Sequence, residues 1–574
     1  SSKTSGNYIV ALGYRSFSPT FGDIDPTFTY ANSMTVSLIP LTDGVGAPAD
    51  SDWVMPQARQ SVTIDFSDAE SRLRTLPFLP GRFSALTVAD GHVTVIRSTS
   101  AESSWEVLEL GSDAPKPVWT AKRVQVLDAA DGLTLARVDG EKIVMLDASS
   151  PGQEESVETK NMTASINLQE EFLQMFDDSW RYQRDFFYDP NMHGLDWPKL
   201  RAHYRPMAAA VYTVQELTSV VREMHAELSA GHVYVSVEPP YNRSDAKTTG
   251  MLGVDYGVRN GRYFFAKILN PGMRRFEHRS PLDDSVLDVR EGDFLLAVNG
   301  RELDSTAAPW EAFEGLAGEL AELTIARTES GADTRSVVVR LLSSERKLRE
   351  LDWVEKTRQW VNEASGGKIG YIYVPNTGAE GQNELMQMYR AQYHKEALII
   401  DERFNTGGAL GDRFVELLNR PPLNYFSSRN ARDYPLPELA HRGPKAMLIN
   451  SWSYSGGDGF PFLFKEASLG PLIGSQTWGG LIGPGMRMSL VNGGFVSAPP
   501  QRVYDTRGNW AEGNEGVRPN IAVRNNPGQL AQGKDQQLQK AVENLLAELK
   551  SLRSPRVPAY PDNVSNKKTP SKTE

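Results

Sequence analysis

Met447-Leu448-Ile449-Asn450-Ser451-Trp452-Ser453-Tyr454-Ser455-Gly456-Gly457-Asp458-Gly459-Phe460-Pro461-Phe462-Leu463-Phe464-Lys465 joins a short apolar run to a Ser/Gly/Asp break, then to apolar residues at helical spacing. This is the pattern of a strand, a tight turn and a helix. The turn holds Ser455, followed at once by glycines. A helix starting there aims unpaired N–H groups and a partial positive charge at whatever lies in front of it. A hydroxyl and a donor for a developing oxyanion would then stand side by side. The plain alternative is a Gly-rich corner with no chemistry, and only the rest of the chain decides between the two.

Working outward, Ala397-Leu398-Ile399-Ile400-Asp401 is a second buried-strand pattern, and it runs straight into Glu402-Arg403-Phe404-Asn405-Thr406-Gly407-Gly408. Adjacent glycines let backbone N–H groups approach a ligand closely. With Ile369–Val374 and a helix over Glu384–Tyr389, residues 348–550 alternate strand and helix, as an α/β subdomain does. Two such strand-turn-helix corners can face one crevice. Before this, residues 248–345 are β-rich and contain Arg290-Glu291-Gly292-Asp293-Phe294-Leu295-Leu296-Ala297-Val298-Asn299-Gly300-Arg301-Glu302-Leu303, a string that resembles part of a PDZ domain. Such a module takes extended peptides onto a sheet edge. Residues 165–245 carry helical spacing at Ile166–Phe176 and Val214–Met224, and end in Glu227-Leu228-Ser229-Ala230-Gly231-His232-Val233-Tyr234-Val235, which places His232 on a helix-to-strand corner.

Residues 1–160 are β-structure. The runs Tyr8–Leu12, Met34–Ile39, Ser61–Ile64, Val93–Ile96 and Lys142–Leu146 are bounded by Asp-Gly pairs at Asp43-Gly44, Asp90-Gly91, Asp131-Gly132 and Asp139-Gly140. Recurring strand pairs suggest about three propeller blades, too few for a ring, with a small sandwich as the other option. The abrupt opening favours the remnant of a longer chain. The tail, 551–574, is rich in Pro, Lys and Ser and is expected to be unpacked.

The chain has 574 residues, net charge −11, and no cysteine. That length implies roughly three to five folded units. Disulfides, zinc thiolates and a cysteine nucleophile are excluded together. No basic stripe points to nucleic acid, and no window has the ~20 apolar residues of a membrane span. No metal or cofactor is expected.

With these pieces in order, the chain resembles the C-terminal two-thirds of the tricorn proteases, in the tail-specific and tricorn family of serine peptidases. The segments "AELSAGHVYV", "LIIDERFNTGG", "INSWSYSGGDGFPF" and "LGPLIGSQTWGGLIG" carry the resemblance. It implies a multidomain fold: the end of a β-propeller, a helical subdomain, a PDZ-like domain and a ClpP/crotonase-like α/β catalytic subdomain. It also implies Ser455 as nucleophile, His232 as general base, and oxyanion donors from Gly456 and from the Gly407-Gly408 turn. Peptide substrates, a homo-oligomeric hexamer and a cytoplasmic location are implied by the same resemblance, with a periplasmic one as the alternative.

The sequence also departs from the family. The serine expected before the histidine is Gly231, and the glutamate expected to orient the network falls, without a gap, on Gly513. Glu512 takes that role through a one-residue shift, or Glu515 does, or the group is missing. A second chemistry of the family pairs the serine with a lysine one helix on. Lys465, 10 residues from Ser455, would stand ~15 Å up the axis, too far to reach. A serine peptidase is the leading expectation; a peptide-binding scaffold with a decayed network is the competitor.

Overall fold

The computed structural model describes residues 8–17, 20–21, 28–41, 64–65, 67, 69–89, 91–98, 102–121, 125–128, 134–139, 142–147, 153–158 and 163, and then 165–552 except 237–247, 273–277, 432 and 512–514. It divides into two compact units, Ser1–Ser165 and Ile166–Glu574.

In the first unit, Arg82–Ala89, His92–Ser98, Ser103–Glu109 and Lys116–Ala121 form a four-stranded antiparallel meander, and Gln125–Asp128, Thr134–Asp139, Lys142–Asp147 and Glu154–Val157 form another. Tyr8–Tyr14, Met34–Pro40 and Arg74–Thr75 make a three-stranded sheet. Alternation drives this: Val93 and Val95, two apart on one face, are fully buried. Ala89 pairs with His92, and Gly91 takes φ +77°, as a two-residue hairpin corner requires. Among the described residues none of these sheets closes on itself. The expected turns at Asp43-Gly44, Asp131-Gly132 and Gly140, the strand at Ser61–Thr63 and the tail from residue 553 lie outside the described residues.

The second unit begins with three helices, Leu168–Phe186, Trp197–Ala210 and Val214–Ala226. The last opens on a capping box, in which the Thr213 hydroxyl accepts from Glu216 N–H while Glu216 reaches back to the Thr213 backbone. Their apolar faces close around Phe172, Phe176, Trp197, Leu217 and Met224. The β-rich module is a sheet whose strands run in the order Val254–Arg259, Arg262–Ile268, Phe294–Val298, Leu320–Ala326 and Arg335–Arg340. Its Asn299-Gly300 corner takes positive φ at both residues. The helix-like stretch expected before its closing strands is a 3₁₀ turn, Pro309–Phe313. Arg349, on helix Arg346–Ala364, donates to Asp255 Oδ1 at 2.7 Å and to the Val254 carbonyl at 2.9 Å, which ties the module to the helix that leads into the α/β part.

The α/β part is a five-stranded parallel sheet: Ile369–Tyr373, Ala397–Asp401, Lys445–Ile449, Leu472–Gly474 and Ile521–Ala522, side by side in chain order. The second and third strands are buried at every residue, which is why they read as unbroken apolar runs rather than alternating ones. Right-handed crossovers that always step in one direction put the connecting helices, Ala379–Gln392, Gly411–Leu418 and Gly456–Glu466, on one face. The latter two meet through Phe414 and Phe460, edge to face at 5.5 Å. The opposite face is fastened by a buried polar group: Tyr371 donates to Asp401 Oδ2 at 2.9 Å, Asp401 accepts from Arg403 through both oxygens, and Arg403 Nη1 reaches Asp535 at 2.8 Å, at the N-cap of helix Gln536–Ser551. Every charge in it is paired, as burial demands.

Candidate active site

Four chain segments leave the C-terminal ends of these parallel strands and meet: Asn376–Gly378, Glu402–Gly408, Asn450–Ser455 and Ser475–Gly480. In open α/β sheets this edge is where ligands sit.

Ser455 caps helix Gly456–Glu466 with φ +59° and ψ −114°, a region that side chains larger than glycine enter only when neighbours compel it. The neighbours are hydrogen bonds on both sides. Tyr454 N–H donates to the Asn405 carbonyl at 3.1 Å, Gly457 N–H to the Tyr454 carbonyl at 2.9 Å, and Asp458 and Gly459 N–H to the Ser455 carbonyl at 2.9 and 3.0 Å. The N–H groups of Gly456 and Gly408 have no hydrogen-bond partner among the described residues. They belong to backbones in close approach: a Cβ on Gly456 would stand 2.0 Å from Thr377 Oγ1, 2.4 Å from the Gly408 oxygen and 2.7 Å from its nitrogen. Thr377 holds the second corner, donating its N–H to the Gly407 carbonyl and accepting from Leu410 N–H, each at 2.8 Å.

His232 brings the imidazole from the helical part. Its Nε2 is 2.9 Å from Ser455 Oγ, although 223 residues separate them. Its loop is pinned by Ser497, whose hydroxyl donates to the His232 carbonyl and accepts from Tyr234 N–H, both at 2.9 Å. Strand Val235–Ser236 then pairs with Phe495–Ser497, so the histidine is fixed to the body that carries the serine. With Nε2 accepting from the hydroxyl, the imidazole proton sits on Nδ1, and among the described residues that nitrogen has no partner.

Two carboxyls behind the serine were not found from the sequence. Asp458, in the first turn of the helix, accepts from Thr477 Oγ1 at 2.5 Å and from Gly479 and Gly480 N–H at 2.8 and 2.7 Å, which docks the Trp478 corner against Ser455. Burial raises its pKa, against the pull of those donors. Glu402 is fully buried, neither of its carboxyl oxygens has a hydrogen-bond partner among the described residues, and burial followed by the nearby Asp458 raises its pKa well above the usual carboxylate range. The two carboxyls therefore differ: one is solvated by protein donors, the other by none among the described residues, and burial disfavours the charged form of both. The acid just beyond the serine and the Gly479-Gly480 pair were the only sequence traces of this arrangement.

The structure thus brings together Ser455, His232, Gly456 and Gly408. Two expected residues stand differently. Gly407 spends its N–H on Asn405 Oδ1 at 2.9 Å, so the Gly407-Gly408 turn leaves Gly408 N–H as its open donor. Glu515 points away: its side chain is two-thirds exposed and pairs with Arg518 at 2.6 Å, so it does not orient the imidazole. Glu512 and Gly513 lie outside the described residues. Gly231 leaves a gap in which the Trp478 ring sits, its Cζ3 3.2 Å from where a Cβ would be.

Burial lowers the pKa of His232 below 6.5, because the imidazolium loses more hydration than the neutral ring does. A base must be unprotonated, so kcat/KM for peptide hydrolysis should rise with pH through a midpoint below 6.5 and be flat above it. A pH profile with its acid limb at or above 6.5 would contradict a desolvated imidazole.

Three family matches cover the second unit: Tricorn protease C1 domain at residues 168–226, Tricorn protease PDZ domain at 250–344, and Peptidase family S41 at 368–523. Relatives include the putative tricorn protease homolog 2 of Streptomyces coelicolor, 29% identical over 98% of this chain and 51% of its own length. Tricorn protease homolog 1 of the same organism is 32% identical over 73% of this chain and 40% of its own. The tricorn protease of Thermoplasma volcanium is 27% identical over 95% and 54%. The chain thus spans about half the length of the relatives it matches. A crystal structure of the tricorn protease superposes with a TM-score of 0.83 at 24% identity, over 95% of this chain and 54% of that one, which establishes a shared fold.

Proposed function

Because this chain belongs to the tricorn-type peptidases of family S41, we propose that it hydrolyses peptide bonds through an acyl-enzyme on Ser455. The observation that carries this is the 2.9 Å approach of His232 Nε2 to Ser455 Oγ in front of two unspent N–H groups. In the proposed reaction, His232 takes the hydroxyl proton as Oγ attacks the scissile carbonyl. The N–H groups of Gly456 and Gly408 hold the tetrahedral oxyanion, and His232 returns the proton to the leaving amine. Water then repeats the cycle and frees the acid. The competing scaffold reading rested on Gly231 and Gly513; an aligned serine-histidine pair with open donors weighs against it.

Substrates are short or unfolded peptides, offered as extended strands to the PDZ-like sheet. The blade-like sheets of the first unit are part of a propeller, and the assembly is a hexamer in the cytoplasm; for these the support is likeness to the tricorn proteases. Among the described residues no helix is long and apolar enough to cross a membrane.

The direct test is a fluorophosphonate probe followed by peptide mapping. A phosphonyl adduct on Ser455, formed faster at about pH 7.5 than at about pH 5, is expected. An unlabelled Ser455 in folded protein would remove the proposal, since stable labelling requires an activated hydroxyl.

A further inference from the structure

The rim of the site carries aromatic side chains that the chemistry above does not use. Tyr234, Tyr454 and Trp478 are 43%, 37% and 52% exposed. Isolated exposed rings need no explanation, but these gather around one serine. Tyr234 meets the His232 imidazole edge to face, with centroids 5.8 Å apart. Tyr454 immediately precedes the nucleophile and meets Trp478 edge to face at 6.3 Å. Trp478 in turn packs on Gly231, next to the histidine. Asp458 and Glu402 are sealed beneath the serine with no exposure, and the Arg487 guanidinium lies over the Phe495 ring at 4.2 Å.

These rings flank the imidazole. A base that takes the serine proton must give it to the leaving amine, so the imidazole stands over the leaving half of a bound peptide. Resting on the serine-peptidase reading, we infer that Tyr234, Trp478 and Tyr454 form the subsite for the side chain immediately after the scissile bond, and that this subsite takes aliphatic and aromatic side chains over charged ones. Apolar side chains gain by leaving water against the rings, whereas a lysine there would lose hydration beside another cation, and an aspartate would regain only part of its lost hydration from the Arg487 guanidinium. Gly231 contributes by having no side chain, which gives Trp478 the space to complete the wall.

Two series of internally quenched peptides on the full chain test this, one varying only the residue after the cleaved bond and one only the residue before it. In the first series kcat/KM for Phe and Leu should exceed that for Lys and Asp by about tenfold or more, and Trp478→Ala and Tyr234→Ala should each compress that ratio to about threefold, with Trp478→Phe restoring most of it. Because each ratio is taken within one preparation, a lowered folded fraction cancels. A flat first series, or an apolar preference that persists undiminished in both alanine variants, would overturn the inference. Failure of the peptidase reading is separately visible, as no fluorophosphonate adduct on Ser455 of the unaltered chain.

Discussion

Ser455→Ala is expected to lower kcat on a fluorogenic peptide by on the order of a millionfold, with KM changed only a few-fold. The reason is local. The hydroxyl's partner is His232 Nε2 at 2.9 Å, and the turn is held by backbone bonds of Tyr454, Gly457, Asp458 and Gly459, none of which uses the side chain. Folding should therefore be indifferent to the change, and the thermal transition should stay in place. Serine and imidazole act as a unit, so His232→Ala should cost nearly as much, and the double variant little more than either. Hydrolysis by Ser455→Ala above about a hundredth of the parent rate would assign the chemistry to another group.

Gly456→Ala should also be strongly damaging, for a different reason. The added methyl would lie 2.0 Å from Thr377 Oγ1 and 2.4 Å from the Gly408 carbonyl oxygen, well inside any real contact, and part of that wall is backbone that has no rotamer to change. Either the helix withdraws or the Gly408 corner does, and in both cases the two N–H groups no longer converge on one oxygen. Loss of one such donor costs about 10²–10³ in kcat, and disturbing both should reach at least the upper figure. Gly459→Ala on the same helix is the control: its nearest neighbour is Leu481 Cδ2 at 3.8 Å, so activity within a few-fold of the parent is expected. Equal behaviour of the two variants would mean that the helix start is not the donor.

The strand-turn-helix corners at Ser455 and Gly408 were legible in the sequence because they are local patterns: a buried strand ends, glycines turn, and an apolar helix begins. The meeting of His232 with Ser455 was not legible from spacing. It depends on Ser497 bonding both sides of the histidine and on strand pairing between segments far apart in the chain, and only resemblance suggested it. Which of two adjacent glycines offers its N–H depends on the Asn405 amide oxygen, a rotamer-level fact. Asp458 escaped notice because an acid in the first turn of a helix normally faces water; here Thr477 and two glycine amides of a distant loop receive it. Glu402 escaped notice because an acid just past the end of a strand is ordinarily exposed. The antiparallel strands of the first unit were legible from their short β-branched runs, but most of the Asp-Gly corners lie outside the described residues, and closure of a ring is not written in any one hairpin.

The strand that anchors His232 finds its partner only at Phe495–Ser497, after the whole β-rich module and the nucleophile itself have been made. On the ribosome the histidine is therefore translated long before the segment that holds it in position. A nascent chain carries the serine and the imidazole as strangers until the segment at Phe495–Ser497 has been made and can pair with the strand after His232.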